Sequence, residues 1–154
     1  MSKISAGILL YRVVNDRAEF FLVHPGGPFW KNKDEGSWTI PKGEVNEDEE
    51  LLASAIREFY EETGTMLNGE FIELTPVKQK SGKLVHSWAI KGDINPDKIK
   101  SNHFDIEWPP RSGKFQSFPE VDKGAWFDIR LAKEKINPAQ AALFDELNEL
   151  LFRP

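Results

Sequence analysis

The segment from Gly43 to Gly64 constrains this chain more than any other, because its residues specify both a helix and a dense array of charge. Asn46 and Glu49 have the spacing of a helix N-cap and its capping-box partner, and Gly64 is a typical residue after a helix C-terminus. Apolar residues recur at intervals of three and four, at Leu52, Ala55, Ile56 and Phe59. The pattern predicts an amphipathic helix over residues 46–63 that packs its apolar stripe on a sheet.

Three carboxylates share one face of this predicted helix. At about 100° per residue, Glu61 and Glu62 lie within about 60° of Glu58 around the axis. Like charges at these spacings destabilise an isolated helix by roughly a few tenths of a kcal/mol per pair. Mg²⁺ or Mn²⁺ would compensate, because these ions take oxygen ligands and bridge to phosphate oxygens. An exposed acidic helix solvated by water explains the three glutamates equally well.

Charge is unevenly distributed along the chain. The net charge of −5 argues against a general nucleic-acid binder, which needs a basic surface. Residues 43–64 hold eight acidic side chains and one basic side chain, whereas residues 76–114 hold eight basic and four acidic ones. This arrangement suits a protein that holds metal cations on one side and a polyanionic substrate on the other. A solvated helix and a lysine-flanked hairpin are the alternative interpretation.

Length and composition limit the remaining classes. A chain of 154 residues suits one domain, residues 1–154. Cysteine is absent, which excludes disulfides, thiolate zinc sites and a cysteine nucleophile. No apolar run reaches the roughly 18 residues of a membrane span, and no cleavage site follows the first apolar segment. The expected location is the cytoplasm, with no membrane partner.

The rest of the chain is predicted to form mainly strands. Apolar patterns and turn residues predict a first hairpin at residues 4–14 and 19–23 and a second strand pair at residues 71–77 and 84–91. They also predict a short strand at residues 125–128. Residues 131–135 predict one helical turn, and Pro138 is placed at N1 of a second long helix. Residues 95–119 lack sustained periodicity and are predicted to be a long loop.

The charged and glycine positions of the first helix resemble the Nudix box, G-x5-E-x7-R-E-U-x-E-E-x-G-U, where U is a bulky apolar residue. Every fixed position is met, by Gly43, Glu49, Arg57, Glu58, Glu61, Glu62 and Gly64. Thr65 departs from the aliphatic residue of the last position, which concerns packing and not ligation. The chain is similar to the Nudix hydrolases over its whole length, since strands precede the box and a strand and helix follow it.

This resemblance implies an α+β fold, the Nudix α/β/α sandwich around a mixed β-sheet. It also implies hydrolysis of a nucleoside diphosphate linked to a further group X, with Mg²⁺ or Mn²⁺. The matched metal ligands are the Gly43 carbonyl and three carboxylates, Glu58, Glu61 and Glu62. Arg57 would belong to the catalytic set by orienting box glutamates, with Glu49 as its expected partner. Glu49 also has the helix-capping role described above.

Glu120 is a further candidate outside the box. It lies six residues before Trp126, in a segment that resembles the loop before the last strand of many Nudix relatives. A glutamate there binds a metal or accepts the proton of the attacking water. A base beside a cation needs only modest basicity, because the metal lowers the pKa of bound water. The alternative is an exposed loop glutamate, and the base could also be a box glutamate.

The substrate is constrained less than the reaction. Residues 38–43 resemble the approach to the box in diadenosine tetraphosphate hydrolases, where Lys42 is a candidate phosphate contact. The tyrosine that this group carries after its box is absent, as is the corresponding proline of ADP-ribose hydrolases. The closest likeness is to bacterial Nudix proteins without an assigned substrate. The sequence is compatible with a dinucleoside polyphosphate or a nucleoside triphosphate as substrate. The alternative to a phosphate contact for Lys42 is a solvated side chain before a turn.

The long segment 95–119 carries two further substrate candidates. Trp108 would stack on a base and Arg111 would hold a phosphate. We predict that the segment folds over the open face of the acidic helix and lines the cleft, with Arg111 facing the phosphates. In the alternative, Trp108 fills the core and the loop wraps the surface.

Two other functions are compatible with the sequence. One is a non-catalytic Nudix-fold nucleotide-binding module, and the other is an acidic protein whose helix binds a basic partner.

Overall fold

The computed structural model describes residues 3–153, so Met1, Ser2 and Pro154 of the expected domain lie outside the described residues. The strands are β1 (Ile4–Val14), β2 (Arg17–Pro25), β3 (Lys42–Glu44), β4 (Ile72–Lys78), β5 (Leu84–Lys91), β6 (His103–Glu107), β7 (Phe115–Pro119) and β8 (Val121–Asp128). The helices are α1 (Leu51–Thr63), α2 (Ile129–Lys135) and α3 (Ala142–Leu151), with 3₁₀ turns at Pro96–Lys98 and Pro138–Gln140. Six strands form one sheet in the order β4-β5-β1-β2-β8, with β3 also paired to β1.

Strand β1 is the centre of the mixed sheet. It runs antiparallel to β2 and β3 and parallel to β5. Residues 5–11 of β1 are all buried, as expected for a strand covered on both faces. Leu9, Phe20 and Leu22 pack with α2 and α3 in one core, whereas Ile8 and Phe21 pack with α1 in the other. Helices therefore cover both faces, which confirms the predicted α+β sandwich around a mixed sheet.

Helix α1 is shorter than its sequence predicts. It begins at Leu51, and its N-cap residue Glu50 makes no side-chain capping bond. Asp48 has a φ of 65°, in the left-handed region, which interrupts a right-handed helix at this point. The predicted start at Asn46 is therefore wrong, although Glu49 still accepts a hydrogen bond from the Asn46 N–H within the preceding turn. The C-terminus is confirmed, since the Gly64 N–H donates to Tyr60 O with a φ of 82°.

Two other regions also differ from their predictions. Within the predicted loop 95–119, β6 and β7 pair as an antiparallel hairpin, from His103 opposite Pro119 to Glu107 opposite Phe115. Most side chains of this hairpin are exposed or half-buried, so no apolar alternation marks it. Pro138 begins a 3₁₀ turn and not the long helix, which follows separately as α3. No helix within residues 3–153 is both long and apolar enough to cross a membrane.

Candidate active site

Three carboxylates converge beside the C-terminal half of α1. Oxygen atoms of Glu58, Glu62 and Glu120 all lie within 4.8 Å of one another. Glu58 and Glu62 come from successive turns of α1, and Glu120 comes from the junction of β7 and β8. Only 6% of Glu62 is exposed, so this carboxylate is a buried group and not a solvated surface charge. The structure therefore brings two box glutamates together with the glutamate predicted from the late loop.

Gly43 makes room for this cluster. On β3, it pairs with Ala6 of β1 and lies against the Glu58 side chain. A Cβ atom at position 43 would stand 2.1 Å from Cδ of Glu58, a separation that van der Waals repulsion forbids. The glycine of the box is therefore required here by the close approach of the carboxylate to the backbone.

Gly43→Ala is expected to weaken Mg²⁺ affinity by about tenfold or more, because the added methyl group displaces Glu58 from the cluster. Calorimetric titration with Mg²⁺ measures the change. Gly92→Ala is the matched control, since its methyl group meets only the end of the Leu10 side chain, at 3.1 Å. Equal Mg²⁺ affinity in Gly43→Ala and the wild type would contradict the role given to Gly43.

Arg57 connects the acidic residues of the box. Its Nε and Nη2 donate to the two carboxylate oxygens of Glu49, at 2.8 and 3.0 Å. Its Nη1 donates to Glu58 at 3.0 Å and to Glu61 at 2.7 Å. The hydrogen bonds from Arg57 lower the pKa of Glu49 to about 2, and the guanidinium pKa rises in return. The expected pairing of Arg57 with Glu49 is present, and Glu61 is bound to Arg57 instead of joining the three-carboxylate cluster.

The cluster is electrostatically unfavourable without a cation. Burial raises the pKa of Glu62 well above its ordinary value, and the charges of Glu58 and Glu120 raise it further. Burial and the charge of Glu61 likewise raise the pKa of Glu58 and of Glu120. Arg57 and Lys42 lower these pKa values, but they do not outweigh burial and the repulsion between carboxylates. Three carboxylates whose oxygen atoms lie this close together fit a divalent cation such as Mg²⁺ or Mn²⁺.

Backbone contacts fix the position of Glu120. Its N–H donates to Asn102 O at 2.8 Å, and its carbonyl accepts from the Gly26 N–H at 2.9 Å. The N–H of the next residue donates to Ser101 Oγ at 3.0 Å. A Cβ atom at Gly26 would lie 2.0 Å from Pro119 O, so only glycine allows this approach. No sequence pattern marks these supporting residues, apart from the glycines after His24, which interrupt the strand pattern.

The structure places the three predicted substrate contacts in different surroundings. Burial and the charge of Lys83 lower the pKa of Lys42, whereas the cluster carboxylate of Glu62 opposes this shift, so the Lys42 ammonium lies within the field of the cluster. Trp108 packs edge-to-face on Phe29, with ring centroids 5.4 Å apart. Arg111 is exposed in the turn between β6 and β7, where its N–H donates to Glu107. Its predicted contact with phosphates stays a prediction.

Comparison with known proteins identifies the family. A family model of the NUDIX domain matches residues 2–147. The chain belongs to the Nudix family. Over 82 residues, this Nudix protein is 30% identical to Nudix hydrolase 5 of Arabidopsis thaliana, a match that covers 53% of this chain. It spans only 25% of the length of that relative.

Solved structures share the fold of this Nudix protein. A Caenorhabditis elegans Ap4A hydrolase binary complex is similar with a TM-score of 0.67 and 23% identity, covering 97% of both chains. The NUDIX domain of Shewanella oneidensis NrtR, complexed with ADP ribose, also has a TM-score of 0.67, at 15% identity, covering 98% of this chain and 89% of that one. At these identities, the likeness establishes the Nudix fold.

Proposed function

We propose that this Nudix protein is a divalent-metal-dependent pyrophosphohydrolase that cleaves a nucleoside diphosphate linked to a further group X. The observation that carries the proposal is the convergence of the buried Glu62 with the half-buried Glu58 and Glu120 beside a complete box. A structural salt-bridge network would pair these carboxylates with cations of the chain. Here Arg57 forms an ion pair with Glu58, whereas Glu62 and Glu120 form none within residues 3–153.

The residues have distinct roles in this proposal. Glu58 and Glu62 hold Mg²⁺ or Mn²⁺, with Glu61, the Gly43 carbonyl and one oxygen of Glu120 as further candidate ligands. When bound, the ion supplies Lewis-acid stabilisation of charge on phosphate oxygens. Arg57 orients Glu58 and Glu61 through its hydrogen bonds.

Water attack on phosphorus also needs a proton acceptor. Glu120 is the candidate base, because burial raises the pKa of its carboxylate and its backbone is held on both sides. A box glutamate is the alternative base. In either case, the carboxylate oxygen accepts the proton of the attacking water while the anhydride oxygen leaves with a phosphate group.

A small nucleotide is the proposed substrate class. Similar solved structures include an Ap4A hydrolase and a NUDIX domain complexed with ADP ribose. Lys42 provides positive charge near the cluster and would contact a phosphate of the substrate. Dinucleoside polyphosphates and nucleoside triphosphates are the first candidate substrates. The proposed location of the protein is the cytoplasm, and we expect no general nucleic-acid binding. A non-catalytic nucleotide-binding module is less favoured, because all box glutamates are retained.

A product-release assay tests the proposal. The purified protein is incubated with dinucleoside polyphosphates, nucleotide sugars, capped RNA ends and nucleoside triphosphates, with Mg²⁺, with Mn²⁺ or with a chelator. We expect metal-dependent release of a nucleoside phosphate from at least one class and none with the chelator. Calorimetry with Mg²⁺ gives an independent readout, since an acidic interaction protein would take up no specific metal. Metal uptake without hydrolysis of any substrate would favour the binding module.

A further inference from the structure

A cavity of about 550 Å³ lies between the β6–β7 hairpin and the loop that follows β2. Trp108 and Phe118 of the hairpin segment and Pro28 of the loop supply apolar walls, and Pro119 continues the lining. The volume falls within the range of small-molecule sites. Aromatic and proline rings offer flat surfaces on which a planar ring stacks.

The two walls of this cavity are held together by close packing. Gly27 lies so near Phe104 that a Cβ atom would stand 2.9 Å from its ring, and the φ of 96° at Gly27 also favours glycine. Trp108 is fixed edge-to-face on Phe29, and Phe118 packs on Phe104 with ring centroids 6.2 Å apart. The cavity is therefore preformed by the fold of the hairpin on the loop.

Polar groups in the lining add hydrogen-bonding specificity. Gln116 Nε2 donates to Trp108 O at 3.0 Å, which leaves the amide oxygen of Gln116 without a partner within residues 3–153. Asp122 Oδ1 is bound by Nδ1 of the buried His24 at 2.9 Å, and its second oxygen is likewise unpaired among the described residues. Lys31 supplies the positive charge of the lining. Both side chains are exposed, so these oxygen atoms can accept hydrogen bonds from a planar ring that carries donors.

We infer that this cavity binds the nucleobase of the substrate and prefers bases with an exocyclic amino group. Adenine, guanine and cytosine each carry an exocyclic amino group that can donate to the oxygens of Gln116 and Asp122, whereas uracil and thymine carry none. Pro119 lines the cavity and the next residue, Glu120, belongs to the acidic cluster. The ribose and phosphates of a nucleotide would connect the two places. The inference rests on the proposed function and narrows its substrate to amino-bearing nucleotides.

Adenosine is the probe that separates base recognition from hydrolysis, because it carries no phosphate and needs no metal. Binding is measured by NMR titration of the protein labelled with ¹⁵N in its tryptophans, without divalent ions. We expect adenosine to shift the indole N–H resonance of Trp108, assigned by its loss in Trp108→Phe, and to bind at least about tenfold more tightly than uridine. Trp108→Ala is expected to weaken adenosine binding by about tenfold or more, whereas Trp108→Phe keeps most of it.

Phe115→Ala is the matched control on the same hairpin, because Phe115 is 70% exposed and does not line the cavity. Adenosine that leaves the Trp108 resonance unshifted, or that binds no more tightly than uridine, would overturn the inference. If Trp108→Ala fails to fold, two measurements on the wild type still test the inference: the adenosine-induced shift of the Trp108 indole resonance and the affinity for adenosine relative to uridine. Metal-dependent hydrolysis without adenosine binding would reject this inference alone. Adenosine binding without any hydrolysis would reject the proposed function alone.

Discussion

Glu62→Gln is expected to lower turnover by about a thousandfold while the fold is retained. The substitution keeps the size of the side chain and removes the charge of the most buried carboxylate in the cluster. Loss of a metal ligand removes several kcal/mol of transition-state stabilisation, and about 1.4 kcal/mol corresponds to a factor of ten in rate. Turnover of the best substrate from the release assay, at saturating Mg²⁺, measures the effect.

The stability of this variant provides a second readout. Burial raises the pKa of Glu62 well above its ordinary value, so the charged side chain destabilises the metal-free protein at neutral pH. A neutral glutamine avoids that cost, and we expect metal-free Glu62→Gln to unfold at an equal or higher temperature than the wild type. Glu149→Gln, on the exposed surface of α3, serves as the control for both readouts. Near-wild-type turnover in Glu62→Gln would refute the proposed metal site.

Arg57→Ala is expected to lower the free energy of unfolding by about 3 kcal/mol and to abolish most turnover. The variant loses the paired hydrogen bonds to Glu49 and leaves Glu58 and Glu61 without their cation. The side chain of Arg57 is 30% exposed, so these ion pairs are partly buried, and removing Arg57 leaves the partner carboxylates without a compensating charge. Urea unfolding at neutral pH measures the stability. Arg57→Lys is the informative comparison, because lysine keeps the charge but cannot bind Glu49 with two parallel hydrogen bonds.

The loss of stability in Arg57→Ala is expected to depend on pH. Arg57 holds the pKa of Glu49 at about 2, below the ordinary value of 4.5. A depressed carboxylate pKa contributes stability that is complete above the unfolded pKa and is lost as the pH falls towards the folded one. The difference in unfolding free energy between the wild type and Arg57→Ala is therefore expected to narrow between about pH 4.5 and pH 2. A difference that stays constant over this range would argue against the Arg57–Glu49 pair as its source.

The local part of the site is predictable from sequence because its partners are close along the chain. Glu58 and Glu62 lie one turn apart on α1, so the helical period alone places them on one face. The pairing of Arg57 with Glu49 follows from the resemblance to the Nudix box and is confirmed by the structure. The start of α1 is not predictable in this way. Glu49 accepts hydrogen bonds both from the Asn46 N–H and from Arg57, and Asp48 adopts a left-handed backbone conformation.

The long-range part of the site depends on contacts that side-chain patterns do not encode. Glu120 reaches the cluster because backbone atoms of Asn102 and Gly26 hold it, and backbone hydrogen bonds place few demands on residue type. The β6–β7 hairpin is invisible to periodicity because most of its side chains are exposed or half-buried. The cavity beside Trp108 needs both of these features, and no local signal describes it.

The paired ends of the β6–β7 hairpin have a consequence for how this protein can diversify. His103 and Pro119 are ladder partners, and Asn102 O accepts the Glu120 N–H, so the segment leaves and rejoins the domain at two adjacent points. Changes in length between fixed neighbouring ends add little closure entropy. Hairpins of other lengths and compositions grafted between these ends would therefore change which compounds are accepted while the carboxylates stay in place. Under the proposed base recognition, changes confined to the hairpin would alter the substrate without altering the acidic cluster.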